Sequence, residues 1–195
     1  MAAPIQAEKI LLDADALGRT IVRIAHEIVE GNRDLDRVAL VGIHTRGVPL
    51  AQRLRRLIAE FTGTEVALGT LDITFHRDDL HVRGGGEAPL HPQPVVRSTS
   101  LDFQLEGRTC VLVDDVLYTG RTIRAAIEAL FAYGRPDRVQ LACLVDRGHR
   151  ELPIRPDYVG KNLPTSRDER IQVQLVELDE VDAVLLESER KVTNG

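Results

Sequence analysis

CVLVDDVLYTGRTIRAAIEAL, residues 110–130, decides how this chain is read. A short apolar run, Val111-Leu112-Val113, meets two adjacent carboxylates, Asp114 and Asp115. A turn of small residues follows, and then Ile123, Ile127 and Leu130 recur at helical spacing. The order is strand, loop, helix. In an open parallel sheet ligands sit beyond the carboxyl ends of the strands, which puts the acid pair at the mouth of a site. Thr119-Gly120-Arg121-Thr122 opens the helix, where unsatisfied N–H groups and the positive end of the dipole favour an anion and two hydroxyls add donors. Carboxylates repel phosphate but accept hydrogen bonds from sugar hydroxyls, so the stretch reads as a cradle for ribose 5-phosphate.

An apolar strand ending in two acids also occurs as the magnesium-holding part of a nucleoside triphosphatase, or as a plain solvated strand end. The first alternative needs a G-x-x-x-x-G-K-[ST] loop, and the sequence has none.

Working outward, residues 38–43 form a second apolar run, followed by His44-Thr45-Arg46-Gly47 and a helix expected over 49–61. This loop repeats the anion-binding pattern of the first, and the arginine fork suits two phosphate oxygens. Two such loops imply a ligand phosphorylated at both ends.

Residues 66–74 alternate like a strand and run into Phe75-His76-Arg77. Residues 83–100 hold Gly84-Gly85-Gly86 and three prolines, too long and polar for an ordinary connection. We expect a hood and flexible flap over about 70–100, with Arg77 closing on a bound pyrophosphate. Residues 138–146 read as another buried strand, 157–162 as a short extended piece, and 172–178 and 182–186 as closing strands. An amphipathic helix is expected over 14–30, with Asp13 or Asp15 as N-cap and Arg19, Arg23 and His26 on its polar side.

A chain of 195 residues with 43% hydrophobic content suits a single domain spanning 1–195. Its net charge of −5 argues against a protein coated in cations for non-specific nucleic-acid binding, while leaving room for a local basic patch. Cys110 and Cys143 both lie in apolar strand-like runs, as reduced buried thiols do. No basic leader with an apolar core and no membrane-length apolar run is present, so a cytoplasmic protein is expected.

The strings RIAHEIVE, GIHTRGVPLA, LDITFHRDDL, LVDDVLYTGRTIRA and LVDRGHRELPIRPDYVGKNLPTS together resemble the bifunctional pyrimidine-operon attenuation regulators and uracil phosphoribosyltransferases, a branch of the type I phosphoribosyltransferase superfamily. The acid-pair string is shared by the superfamily; VDRGHRELPIR and DYVGKNLPTS belong to this branch. The resemblance implies an α/β fold of the type I phosphoribosyltransferase kind: a mostly parallel central sheet flanked by helices, with a small hood above its carboxyl edge. It also implies assembly as a homodimer or higher oligomer. The implied reaction is attack of uracil on Mg²⁺-bound phosphoribosyl pyrophosphate (PRPP), giving uridine monophosphate (UMP) and pyrophosphate. No dedicated protein ligand set for the metal is implied.

Carried over by motif, Asp114 and Asp115 would hold the ribose hydroxyls. Val113, Val116, Leu117 and the turn Tyr118-Thr119-Gly120-Arg121-Thr122 would surround the sugar phosphate. Thr45, Arg46 and Gly47 would take the pyrophosphate, with Arg77 reaching it from the hood, and the Val159 backbone would read the pyrimidine edge. Asp114, Asp115 and Arg77 are the catalytic candidates. The same resemblance implies binding of the pyrimidine operon's leader mRNA through Arg23, His26, Arg150, Arg155 and Lys161, strengthened by UMP. Val22 departs from the hydroxyl residue that many relatives carry on this helix face. The alternative is a salvage phosphoribosyltransferase for uracil or a purine base that does not bind RNA.

Overall fold

The computed structural model describes residues 6–74 and 98–189. In chain order the elements are β1 (Gln6–Leu12), α1 (Ala14–Gly31), β2 (Val38–Ile43), α2 (Gly47–Thr62), β3 (Ala67–Leu71), β4 (Thr109–Leu117), α3 (Arg121–Phe131), β5 (Arg138–Asp146), β6 (Tyr158–Asn162), β7 (Glu169–Gln174), α4 (Val176–Asp179) and β8 (Ala183–Glu189). Five strands form the main sheet in the order β3-β2-β4-β5-β6, and every neighbouring pair is parallel. Their carboxyl ends therefore open on one edge, as the strand-loop-helix pattern requires.

The apolar runs lack a polar face because both faces of the sheet are covered. Val38, Leu40, Val111, Val113, Ala142 and Leu144 pack with Leu17, Ile21, Ile24 and Ile28 of α1 and Leu50, Leu54 and Ile58 of α2. The alternate residues Ala39, Val41, Ile43, Cys110, Leu112, Leu141 and Cys143 pack with Ile123, Ala126 and Leu130 of α3. Asp13 caps α1, its side chain accepting from Ala16 N at 2.8 Å. Helix α2 begins at Gly47, two residues before the expected start, so that Arg46 is its N-cap.

Three expectations change. The closing strand expected over 172–178 is β7, which ends at Gln174, and Val176–Asp179 turns into the short helix α4. Strand β4 does not stop at the acids: Asp114 pairs with Cys143, Val116 with Val145 and Leu117 with Asp146, so the ladder continues past them. The second, smaller sheet has the order β1-β8-β7, is antiparallel, and is assembled from the two chain ends. Of the hood and flap expected over 70–100, residues 75–97 and with them Arg77 lie outside the described residues. On either side of that stretch, Thr70 and Ser100 form an isolated antiparallel bridge.

The segment joining β7 to β8 is tied to α2 by Arg53, which donates to Glu177 at 2.7 and 2.5 Å and to Asp182 at 2.8 and 2.8 Å. The Glu177 hydrogen bond leads in pushing Arg53 above its ordinary range, against the opposing effect of burial. Glu177 is lowered in turn by Arg53. Burial works against the lowering of Asp182, but the hydrogen bonds from Arg53 and Val176 N outweigh it.

Candidate active site and nucleic-acid face

The two phosphate-type loops leave adjacent strands at the same edge. Gly42 of β2 is level with Val113 of β4, so the chain after Ile43 and the chain after Val113 rise side by side. Their approach is close. A Cβ on Gly47 would lie 3.1 Å from the Val113 carbonyl carbon and nearer still to its oxygen, and 3.4 Å from Asp114 Cα. Only glycine lets the Thr45-Arg46 loop lie against the acid pair. The His44–Thr45 peptide is cis.

Asp114 is 7% exposed and Asp115 is half-buried. Asp115 N donates to Asp114 Oδ1 at 3.0 Å, and Val116 N to Asp115 Oδ1 at 2.9 Å, which fixes the orientation of both carboxylates. Gly120 adopts φ 93°, the left-handed conformation that turns the chain into α3, and no side chain caps that helix. The Thr119 hydroxyl accepts from Arg121 N at 3.3 Å, while the Arg121 side chain, half-exposed, turns away to Glu151 at 2.7 Å.

Three of the residues expected around the sugar phosphate turn their side chains into the cores, leaving only their backbone to face the site. Val113 and Leu117 are 2% and 1% exposed and belong to the cores on opposite faces, and Val116 packs on the α1/α2 side. Up to Val113 the odd-numbered residues of β4 face the α1/α2 core, and from Val116 the even-numbered ones do, so the side-chain phase reverses across the acid pair.

The loop after β5 forms a third wall, and here the sequence reading missed residues. Arg147, 7% exposed, donates to Thr165 Oγ1 at 3.0 Å and to the Ser166 and Glu169 carbonyls at 3.1 and 2.7 Å. Its guanidinium lies 4.1 Å from the Tyr118 ring centroid, and His149 meets that ring edge-on at 5.8 Å. Tyr118 is thus held from two sides. The signal was present: a third polar run, Asp146 to Arg150, follows a buried strand just as the other two loops do.

Burial pushes Cys110 up to about 11. It raises Cys143 further, with Asp146 and Asp114 adding to the effect. Both cysteines are free and buried, so neither offers a thiolate beside the acid pair.

Of the expected RNA-facing cations, Arg23 and Lys161 meet at β6 and the others lie elsewhere. Arg23 of α1 donates to the Val159 carbonyl at 3.0 Å and to the Gly160 carbonyl, and also pairs with Glu27. It therefore borders Lys161, which is exposed. The Val159 carbonyl, expected to read a base, already accepts from Arg23. His26, one turn further along α1, stacks flat on Phe61 of α2, with ring centroids 4.1 Å apart and planes 4° apart. Arg155 is exposed. Arg150 is committed to its own loop: it donates to Ile154 O at 2.9 Å and Tyr118 O at 2.6 Å and pairs with Asp146. Those bonds shape the wall of the phosphate turn and leave Arg150 little to offer a solution phosphate.

A family model described as a phosphoribosyl transferase domain matches residues 8–180. Among curated relatives, the bifunctional protein PyrR of Roseiflexus sp. is 58% identical over 180 residues, covering 92% of this chain and 94% of that one. PyrR of Thermus thermophilus is 57% identical, covering 90% and 93%. This chain belongs to the bifunctional PyrR proteins of the phosphoribosyltransferase family. The family resemblance read from its sequence strings is thereby borne out. The phosphoribosyltransferase fold is also that of a hypoxanthine phosphoribosyltransferase from Trypanosoma cruzi, with a TM-score of 0.66 at 18% identity over 92% of this chain and 96% of that one. One from Staphylococcus aureus gives a TM-score of 0.65 at 17% identity over 90% of each. Among the described residues no helix is long and apolar enough to cross a membrane.

Proposed function

We propose that this PyrR-family protein joins uracil to the phosphoribosyl group of PRPP, giving UMP and pyrophosphate, and that with UMP bound it grips pyrimidine-operon leader RNA and attenuates expression. The observation that carries the enzymatic half is the pressing of Gly47 against Val113, which sets the loop of Thr45 and Arg46 beside Asp114 and Asp115. One doubly phosphorylated sugar can then lie across both loops. Asp114 and Asp115 accept from its 2- and 3-hydroxyls. The turn from Tyr118 to Thr122 takes the 5-phosphate on backbone amides and hydroxyls, and Thr45, Arg46 and Gly47 take the pyrophosphate. Arg77 keeps the role its motif implies.

Mg²⁺ enters as part of the substrate. Among the described residues no group of three or more His, Cys, Asp or Glu is placed to hold a metal. The donors at the ribose end are two adjacent carboxylates, each already accepting one backbone N–H. That set fits an ion carried mainly by phosphate oxygens and water. When bound, it neutralises charge on the pyrophosphate. As the bond from the anomeric carbon to the pyrophosphate oxygen breaks, positive charge grows on the ribose ring and negative charge on the leaving group. Fixed cations at one end and oriented acceptors at the other lower that barrier, and the rigid β4 ladder keeps the reactants in line.

The regulatory half rests on surface cations. Exposed Lys161 with Arg23 bordering it, and exposed Arg155 and His26 elsewhere on the surface, suit a looped or single-stranded RNA, and a homodimer or larger assembly would repeat these cations. The reading puts the protein's work in the cytoplasm.

Turnover of PRPP with uracil tests the first half: Asp115→Asn should lose most of it, and normal turnover by that variant would remove the acid pair from the mechanism. A salt titration of leader-RNA binding with and without UMP tests the second. Absence of UMP-enhanced binding at moderate salt would leave a salvage enzyme alone.

A further inference from the structure

Arg46 is already bonded before any substrate arrives. Its Nη2 donates to Asp179 Oδ1 at 2.7 Å, in a pair whose side chains are 29% and 20% exposed. Its Nε is buried with no hydrogen-bond partner among the described residues, and neither has the neighbouring His44 Nε2. A guanidinium presents its donors as a planar fork, and here one prong is taken while the Nε beside it has no acceptor. Asp179 is firmly presented. Its Oδ2 accepts from Leu175 N at 2.9 Å, and its own N donates to Leu175 O at 2.7 Å. Arg53 clamps Glu177 and Asp182 on either side of it. A carboxylate resembles a phosphoryl group in charge and in the spacing of its oxygens, so the two are rivals for one guanidinium.

We propose that Asp179 is a built-in competitor for the pyrophosphate end of the substrate, acting as a positioning residue through Arg46. The inference rests on the reading of Arg46 as a pyrophosphate ligand. A ligand bearing pyrophosphate must displace Asp179 to complete the fork, whereas UMP, which carries uracil in place of pyrophosphate on the anomeric carbon, leaves the pair intact. Asp179 therefore weakens PRPP and pyrophosphate relative to UMP and favours the nucleotide-loaded form at a given ratio of the two.

The test uses the full chain with Asp179→Asn, whose amide oxygen still accepts from Leu175 N while the ion pair is lost. Titration calorimetry with magnesium pyrophosphate, PRPP and UMP should show the first two about fivefold tighter and UMP unchanged. Unchanged or weaker pyrophosphate binding, or an equal shift for all three ligands, would overturn the proposal. Should the asparagine variant fail to fold, Asp179→Ser, whose hydroxyl also accepts from Leu175 N, is judged by the same criteria. Arg46→Gln separates the two levels. If it leaves pyrophosphate affinity intact, the underlying assignment of Arg46 fails; if it weakens pyrophosphate while Asp179→Asn changes nothing, only the competitor role fails.

Discussion

Gly47→Ala is the sharpest test of the two-loop arrangement. The added methyl would sit 3.1 Å from the Val113 carbonyl carbon and closer to its oxygen, in the backbone of a buried strand that has β2 and β5 on either side. No side chain is available to swing aside, so the loop itself must move. Overpacking costs about 1–3 kcal/mol, and a backbone obstacle puts this site at the upper end. Alanine's advantage over glycine in a helix recovers about 0.5–1 kcal/mol, leaving a net loss of about 2 kcal/mol. For a chain of this size that lowers Tm by about 4–8 °C. Displacing the Thr45-Arg46 loop should also weaken PRPP at least about tenfold, as expected where a loop loses its placement against the reacting sugar. Gly18→Ala is the control: the position is helical with nothing within 4 Å, so Tm should rise slightly. Calorimetry of unfolding and of PRPP binding, at one protein concentration, reads both. A Gly47→Ala protein with wild-type Tm and PRPP affinity would refute the close apposition of the loops.

Further outcomes concern acid stability and the basic face. Because Glu177 and Asp182 are lowered in the folded protein, their contribution is full above their ordinary values of 4.5 and 3.8 and is lost as the pH falls through the folded values. The Tm of the wild type should thus drop more steeply than that of Arg53→Met below about pH 4.5, and parallel curves would count against the clamp. Arg155→Ala and Lys161→Ala should each weaken leader-RNA binding, reduce the salt slope by about 0.7 and spare turnover. Arg150→Gln, by freeing Tyr118 and Asp146, should lower turnover as well; full activity there would show that the loop does not need it.

Much of the fold was legible because its strands are short apolar runs between strong turn signals. The runs 38–43 and 138–146 have the bounds of β2 and β5, and α1 differs from its expected span by one residue. The misplaced end of β4 has a clear cause: Asp114 and Asp115 look like a strand terminus, yet a parallel ladder is indifferent to side-chain charge as long as backbone partners continue. The origin of the smaller sheet was hidden because pairing of β1 with β8 joins segments at opposite ends of the sequence, which no local pattern encodes. At the site the loop residues were legible as types but not as commitments. Nothing local to Arg150 says that its donors are spent on its own loop, and nothing near Arg46 points to Asp179. The buried Asn32, which donates to Gln140 at 3.1 Å and Tyr158 at 3.0 Å beneath the end of α1, was invisible for the same reason.

The guanidinium of Arg23 has a consequence for solubility. Strand β6 is a border of the main sheet, and a bare border offers backbone acceptors on which another molecule can dock a strand of its own. Of the adjacent Val159 and Gly160 carbonyls that Arg23 occupies, one lies on the free side of β6, so Arg23 takes up an acceptor that such a growth front would use, and charged Lys161 discourages stacking beside it. Arg23→Ala should therefore unmask a sticky margin, read as precipitation on concentration, whatever it does to RNA binding.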